Sequence, residues 1–189
     1  MSELARTVWP IHGTHIAVLA DCHIHPGGGP AFPEALFAAL GGADLIVTLG
    51  DMGDAAGLDQ LAEVAPVVGV RGADDSDDPR TDARFLVLTA PGSDIGCVFD
   101  PVAAGLATSA EPFSPVPDFN DVAMRVFGRH VQMLLFGSTH KSAVERFGDV
   151  GVAMNPGSAV LPAKGETASF LRLTVIDGGI WVGNVVPLD

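Results

Sequence analysis

The chain has 189 residues, enough for one domain with a sizeable core, and at 48% hydrophobic against 17% charged it has the composition of a folded protein. Its formal net charge of -13, from ten basic and 23 acidic residues, weighs against duplex or long single-stranded nucleic acid as a partner, because such binding draws on many Lys and Arg contacts to phosphates. No apolar run reaches bilayer-spanning length, no signal-like segment follows Glu3 and Arg6, and Cys22 and Cys97 make no disulfide framework, so the expectation is a cytoplasmic chain without a membrane partner.

Taken in order, Ile16 to Ala20 is an apolar run that reads as a buried strand and delivers Asp21-Cys22-His23. A glycine loop, Gly27-Gly28-Gly29, follows, and Pro33 to Leu40 reads as a helix with Pro at its start and Gly41 at its end. Leu45 to Leu49 is a second strand and delivers Gly50-Asp51. Leu58 to Val64 has helical apolar spacing, Pro66 breaks it, and Val67 to Val70 is a third strand running into Arg71-Gly72-Ala73-Asp74-Asp75. Phe85 to Leu88 is a fourth. The stretch from Pro91 to Asp121, with Pro101, Pro112, Pro115 and Pro117, has little periodicity and reads as an irregular segment, either cover over a site or a mobile loop. A helix over Asp118 to Arg129, capped by Asp118 or Asn120, leads into the strand Val131 to Phe136, which delivers Gly137-Ser138-Thr139-His140. Beyond Asp149 the pattern turns strand-rich: Val150 to Met154, Phe170 to Ile176 and Ile180 to Val186, the last two joined at Asp177-Gly178-Gly179. Near-continuous apolar strands are expected where both faces of a sheet are covered. The economical architecture is therefore a four-layer α-β-β-α sandwich, two mixed sheets stacked with helices outside, in one domain over residues 1–189.

Three of these strands end in a carboxylate or an imidazole. In open α/β sheets the binding crevice lies beyond the carboxyl ends of the strands, so the repetition points to one site. Asp21 or Asp51 alone would read as a turn former; their shared placement favours a metal. Asp74, Asp75, Asp77 and Asp78 form an acidic run of the kind usually found on a solvated loop. Arg71 and Lys141 are candidate phosphate binders, as a fork and a point charge, or else ordinary rim charges. His12, His15 and His130 carry no signal, and the glycine run falls short of a phosphate-binding loop.

The ordered set Asp21-x-His23, Gly50-Asp51, Gly72-x-x-Asp75, Thr139-His140 and Asn155-Pro156-Gly157-Ser158 resembles the calcineurin-like metallophosphoesterases, in the small branch that includes the YfcE-type phosphodiesterases and the retromer subunit Vps29. The resemblance implies that Asp21, His23, Asp51 and His140 hold the family's first metal, with Asp51 also the bridge, and that Asp51, Asp74 and Asp75 form the catalytic group. It also implies a depleted second metal site. The family's Asn ligand falls at Ala73, its middle His at Ala90 after Thr89, and the first His of its Gly-His-Thr-His at Ser138; His25, Asp74 and Asp75 are conceivable substitutes. Asp and His donors suit a divalent transition metal, Mn foremost, with Fe, Ni or Zn as alternatives. The function this implies is hydrolysis of a small phosphorylated substrate, a phosphodiester or phosphomonoester, with reduced activity. The alternative is a protein-binding scaffold of the Vps29 kind that retains one metal; a homo-oligomer is open in either case.

Overall fold

The computed structural model describes residues 6–27, 29–90, 92–148, 151–176 and 180–188. Its first half runs β1 (Arg6–Pro10), β2 (His15–Leu19), α1 (Glu34–Leu40), β3 (Leu45–Thr48), α2 (Ala55–Ala62), β4 (Val67–Gly69), β5 (Phe85–Ala90) and β6 (Ser93–Val98). There follow β7 (Ala107–Ala110), β8 (Phe113–Pro115), α3 (Phe119–Phe127), β9 (Met133–Phe136), β10 (Ser142–Phe147), β11 (Gly151–Pro156), β12 (Ser169–Ile176) and β13 (Ile180–Pro187). One mixed sheet has the order β13-β12-β2-β3-β4 and the other β1-β5-β6-β9-β11-β10, while β7 and β8 pair with each other alone.

The continuous apolar strands have a simple cause: each residue along them faces a different core. Val18, Val47, Leu86 and Leu135 point between the two sheets. Their neighbours Leu19 and Ile46 point outward onto Leu36, Leu40, Leu58 and Leu61 of α1 and α2. On the opposite outer face, Val87, Leu134 and Phe136 meet Phe119, Val122 and Phe127 of α3. Side chains alternate along a strand, so covering both faces removes the polar half of the usual pattern. The result is the four-layer α-β-β-α sandwich. Among the described residues no helix is long and apolar enough to cross a membrane.

The structure corrects three expectations. The stretch expected to be irregular contains β6 and the β7–β8 hairpin. Its strand is disguised by Gly96, which is required because a Cβ there would lie 2.7 Å from the Phe127 ring of α3. The edge strands β1 and β10 were not expected, since one has an exposed face and ends in Pro and the other carries Glu145 and Arg146, as edges facing water do. α3 starts at Phe119 with no side-chain bond from Asp118 and stops at Phe127, where Gly128 takes a left-handed conformation (φ 75°) and donates its N–H to the Met124 carbonyl at 2.9 Å. Gly28, Val150 and the turn at Asp177-Gly178-Gly179 lie outside the described residues.

Strand direction decides what can meet. β2 pairs parallel with β3, and β3 with β4, so their carboxyl ends share one edge of the sandwich. In the other sheet β6 and β9 run parallel and bring Val98 and Phe136 side by side, whereas β5 runs antiparallel to β6. Phe85, at the start of β5, therefore pairs with Val98, and Ala90, at its end, pairs with Ser93 at the far end of the sheet.

Candidate metal centre

Beyond β2 and β3 the two chains stay in step. Asp21 N–H donates to the Gly50 carbonyl at 3.0 Å, His23 N–H to Asp51 at 3.0 Å and Ile24 N–H to Met52 at 2.9 Å. Among the described residues, the non-glycine positions with positive φ are Asp21 (54°), His23 (49°), Asp51 (51°), Ser138 (71°) and His140 (57°). Each costs on the order of 1 kcal/mol or more and persists only where the surroundings over-determine it. The strain thus falls on the four residues that sequence reading singles out, plus the serine two before His140. Close approach of backbone is the other device. A Cβ on Gly50 (φ 96°) would sit 2.6 Å from the Phe99 ring and 2.8 Å from the Gly72 Cα, and one on Gly72 would collide with the Asp51 backbone and carboxylate.

Asp21 is fully buried and ties the two sheets together: Oδ1 accepts from Ser138 N–H and Oδ2 from His140 N–H, each at 3.1 Å. Burial pushes its carboxyl above the ordinary range, against the opposing pull of His140 and of those two N–H groups. The His140 ring donates Nδ1–H to the Leu161 carbonyl at 2.6 Å, and the His23 ring donates Nδ1–H to Asp74 Oδ2 at 2.6 Å. The rings stack 7° from parallel with Nε2 facing Nε2 at 3.3 Å. When both imidazoles are neutral with Nδ1–H given to these acceptors, each Nε2 presents a lone pair to the other, an arrangement that a shared cation resolves. Two nitrogens about 2.1 Å from one ion and this far apart subtend about 100° at it, close to the angle of a tetrahedral site. Donor atoms of Asp21, His23 and His140 lie within 4.8 Å of one another. Asp51 reaches this set from one side, with Oδ2 3.9 Å from His23 Nε2. Two nitrogens and the Asp21 carboxylate form the close donor set, of the kind a transition metal takes, and Asp51 stands beside it.

The structure gives the acidic loop after β4 a different part from the one expected. Both oxygens of Asp75 are occupied by backbone: Oδ1 accepts from Met52 (2.6 Å) and Gly53 (3.0 Å), and Oδ2 from Gly72 (2.7 Å). Asp75 thereby braces the loops after β3 and β4. Asp74 shares Oδ2 between His23 Nδ1 and, at 2.8 Å, His25 Nε2, while His25 Nδ1 faces Asp54 Oδ2 at 3.3 Å. The hydrogen bond from His23 holds Asp74 below the ordinary carboxylate range, and the bond to Asp74 raises His25. Neither cation expected to hold phosphate stands alone: Arg71 pairs with Asp77 at 2.6 Å and Lys141 with Glu111 at 3.1 Å.

The placement of the missing middle His at Ala90 is also corrected, because Ala90 lies at the end of the sheet away from the centre. β6 is the strand that reaches the centre, and Phe99 just beyond it packs beside Gly50 and Gly137. An apolar ring stands beside the Asp51 loop. The signal was available in the run Ile95 to Val98, hidden by Gly96. The Asn155–Ser158 turn braces the centre from behind: Asn155 Nδ2 donates to the Gly137 carbonyl (2.9 Å) and to Thr139 Oγ1 (3.0 Å), and Ser158 Oγ donates to the Asp21 carbonyl (2.7 Å).

The sequence model of the calcineurin-like phosphoesterase superfamily domain matches residues 15–178. The chain belongs to that superfamily. This member is 28% identical over 164 residues to the probable metallophosphoesterase MJ0623 of Methanocaldococcus jannaschii, covering 86% of this chain and 76% of that one. Among solved structures it is similar to Entamoeba histolytica Vps29 complexed with Zn2+, at 20% identity and a TM-score of 0.63, covering 93% of this chain and 99% of that one. It is also similar to YfcE, a phosphoesterase from Escherichia coli, at 17% identity and a TM-score of 0.57, covering 93% and 100% respectively. At these identities the structural likeness is one of fold.

Metal binding by this phosphoesterase-family chain should depend on pH in a definite direction. The raised pKa of Asp21 means that the metal-free fold holds a proton there more tightly than the unfolded chain does, so Asp21 contributes less stability as pH rises through its folded pKa. A cation needs the ionised carboxylate and neutral imidazoles, so its stabilisation grows over the same range. Excess Mn2+ at about 100 times its Kd should raise Tm by about 5–10 °C at pH 7.5 and hardly at all at pH 5, read by thermal melts. A shift independent of pH would mean a site built without these groups.

Proposed function

We propose that this chain is a metal-dependent phosphoesterase of low intrinsic activity, using one divalent transition metal on a small phosphorylated substrate. The observation that carries this reading is the pair of Nε2 atoms facing each other at 3.3 Å while both Nδ1 atoms are engaged by oxygen acceptors. Asp21, His23 and His140 would hold the ion, with Asp51 closing the set; Mn is the first choice, and Fe, Ni or Zn the alternatives. When bound, the ion supplies Lewis-acid polarisation of a phosphoryl oxygen and a water acidic enough to act near neutral pH. Lys141, next in sequence to His140, and Arg71, at the exit of β4, would bind the phosphate. Their present ion pairs are solvent-exposed, of the kind worth little in water, so a phosphate can take the place of Glu111 or Asp77. The low activity follows from Ala73, Phe99 and Ser138, which leave the second ion without its donors and remove one of two clamps on the displacement.

A partner-binding scaffold that keeps one metal is the second reading, favoured by Phe99 standing beside the Asp51 loop. Hydrolysis of bis(4-nitrophenyl) phosphate with Mn2+ separates the two. Slow, metal-dependent turnover lost in Asp21→Asn supports the enzyme; no turnover by a folded, metal-loaded chain supports the scaffold.

A further inference from the structure

Residue 74 touches two of the four candidate donors at once. Its backbone N–H donates to Asp51 Oδ1 at 2.8 Å, and its carboxylate accepts Nδ1–H from His23 at 2.6 Å. The same oxygen accepts from His25 Nε2 at 2.8 Å, and His25 is held on its other side by Asp54 at 3.3 Å. The chain of contacts runs outward from the centre: His23, Asp74, His25, Asp54.

The donor atoms of His23, His25 and Asp74 also lie within 4.8 Å of one another, so a second ion among them is the rival account. The geometry disfavours it. Two donors 2.6 Å apart, each about 2.1 Å from an ion, would subtend only about 75° there, well below a tetrahedral angle. A nitrogen and a carboxylate oxygen at 2.6–2.8 Å are instead at the distance of a charge-assisted hydrogen bond. An imidazole whose outer N–H meets a carboxylate is fixed in tautomer and made a more basic ligand at its other nitrogen.

We infer that Asp74 is a positioning residue for the metal centre: its carboxylate holds His23 with the proton on Nδ1, its backbone N–H aims Asp51, and His25 and Asp54 hold Asp74 in place. His25 is then a support and not a ligand. In this chain, the residue after the lost Ala73 ligand position strengthens the first site and does not rebuild the second. The inference rests on the metal centre proposed above, and its test does not depend on hydrolysis.

The test compares wild type with Asp74→Ala, Asp74→Asn and His25→Ala. Chelator competition should show Mn2+ affinity falling about 10- to 100-fold in Asp74→Ala, with a smaller loss in Asp74→Asn, whose side-chain oxygen can still accept from His23, and a smaller loss in His25→Ala. Stoichiometry should stay at one ion per chain in all four proteins. The absorption bands of the Co2+ form should shift in Asp74→Ala. Nitrogen-15 NMR of the metal-free proteins should show His23 protonated on Nδ1 in wild type, and Asp74→Ala should shift the proton toward Nε2. That reading stands even if the centre binds no metal, so failure of the metal proposal and failure of this one are separable. Unchanged affinity, bands and tautomer in Asp74→Ala would overturn the inference. So would a second ion in wild type that His25→Ala removes while the first stays equally tight, since His25 would then be a ligand.

Discussion

Asp51→Asn and His140→Ala are each expected to lower metal affinity by at least about a hundredfold, while His12→Ala leaves it unchanged. Loss of a supporting contact alone costs about 10- to 100-fold in metal sites, and these changes remove donors. Asp51→Asn keeps an oxygen able to accept the Asp74 N–H, so the loop should stay in place while the negative charge beside His23 is gone. His140→Ala removes one of the two opposed nitrogens and leaves the Leu161 carbonyl without its partner. His12 stands before β2, at the opposite end of that strand from His23, and is exposed. Isothermal titration with circular dichroism as a fold control reads all three. Asp51→Asn binding metal as tightly as wild type would place the centre elsewhere.

The second large effect is a gain. Installing Ala73→Asn, Phe99→His and Ser138→His together should raise metal stoichiometry from one to two and increase phosphodiester turnover by about a hundredfold, the equivalent of about 3 kcal/mol in the barrier. The three substitutions should act as a unit, since no one donor holds the ion and neighbouring changes do not add. The choice of Phe99 is the discriminating part. Ala90→His in its place should leave stoichiometry at one, because Ala90 pairs with Ser93 at the remote end of the sheet. Equal gains from Ala90→His and Phe99→His would mean that the strand directions do not govern this site. A second ion bound without any gain in turnover would favour the scaffold reading.

Much of the molecule is legible one strand at a time. The runs ending in Asp21-x-His23, Gly50-Asp51 and Ser138-x-His140 declare themselves because a strand covered on both faces is a continuous apolar word, and the residue that ends it is fixed by local register. Stacked sheets with outer helices follow from the same words. The sequence also has Ala73, which offers no donor, where the family resemblance places an Asn ligand. β1 and β10 are harder to read because edge strands face water and lose the apolar pattern, and β6 because Gly96 makes room for Phe127.

The partners of these residues are set by the tertiary structure. Which end of β5 faces the centre depends on its pairing with β6, and that pairing brings Phe99 there in place of Ala90. Asp74 and Asp75 are adjacent in a single acidic run, yet one carboxylate meets two imidazoles and the other meets three backbone N–H groups. Composition cannot separate them, because four of these five partners lie more than 20 residues away and are a property of the packed sheets. The Leu161 carbonyl that sets the His140 tautomer has no side-chain signature at all. A strand records its own burial in its residue types; a backbone atom supplied across the fold leaves no such record, and only the assembled sandwich puts it in reach.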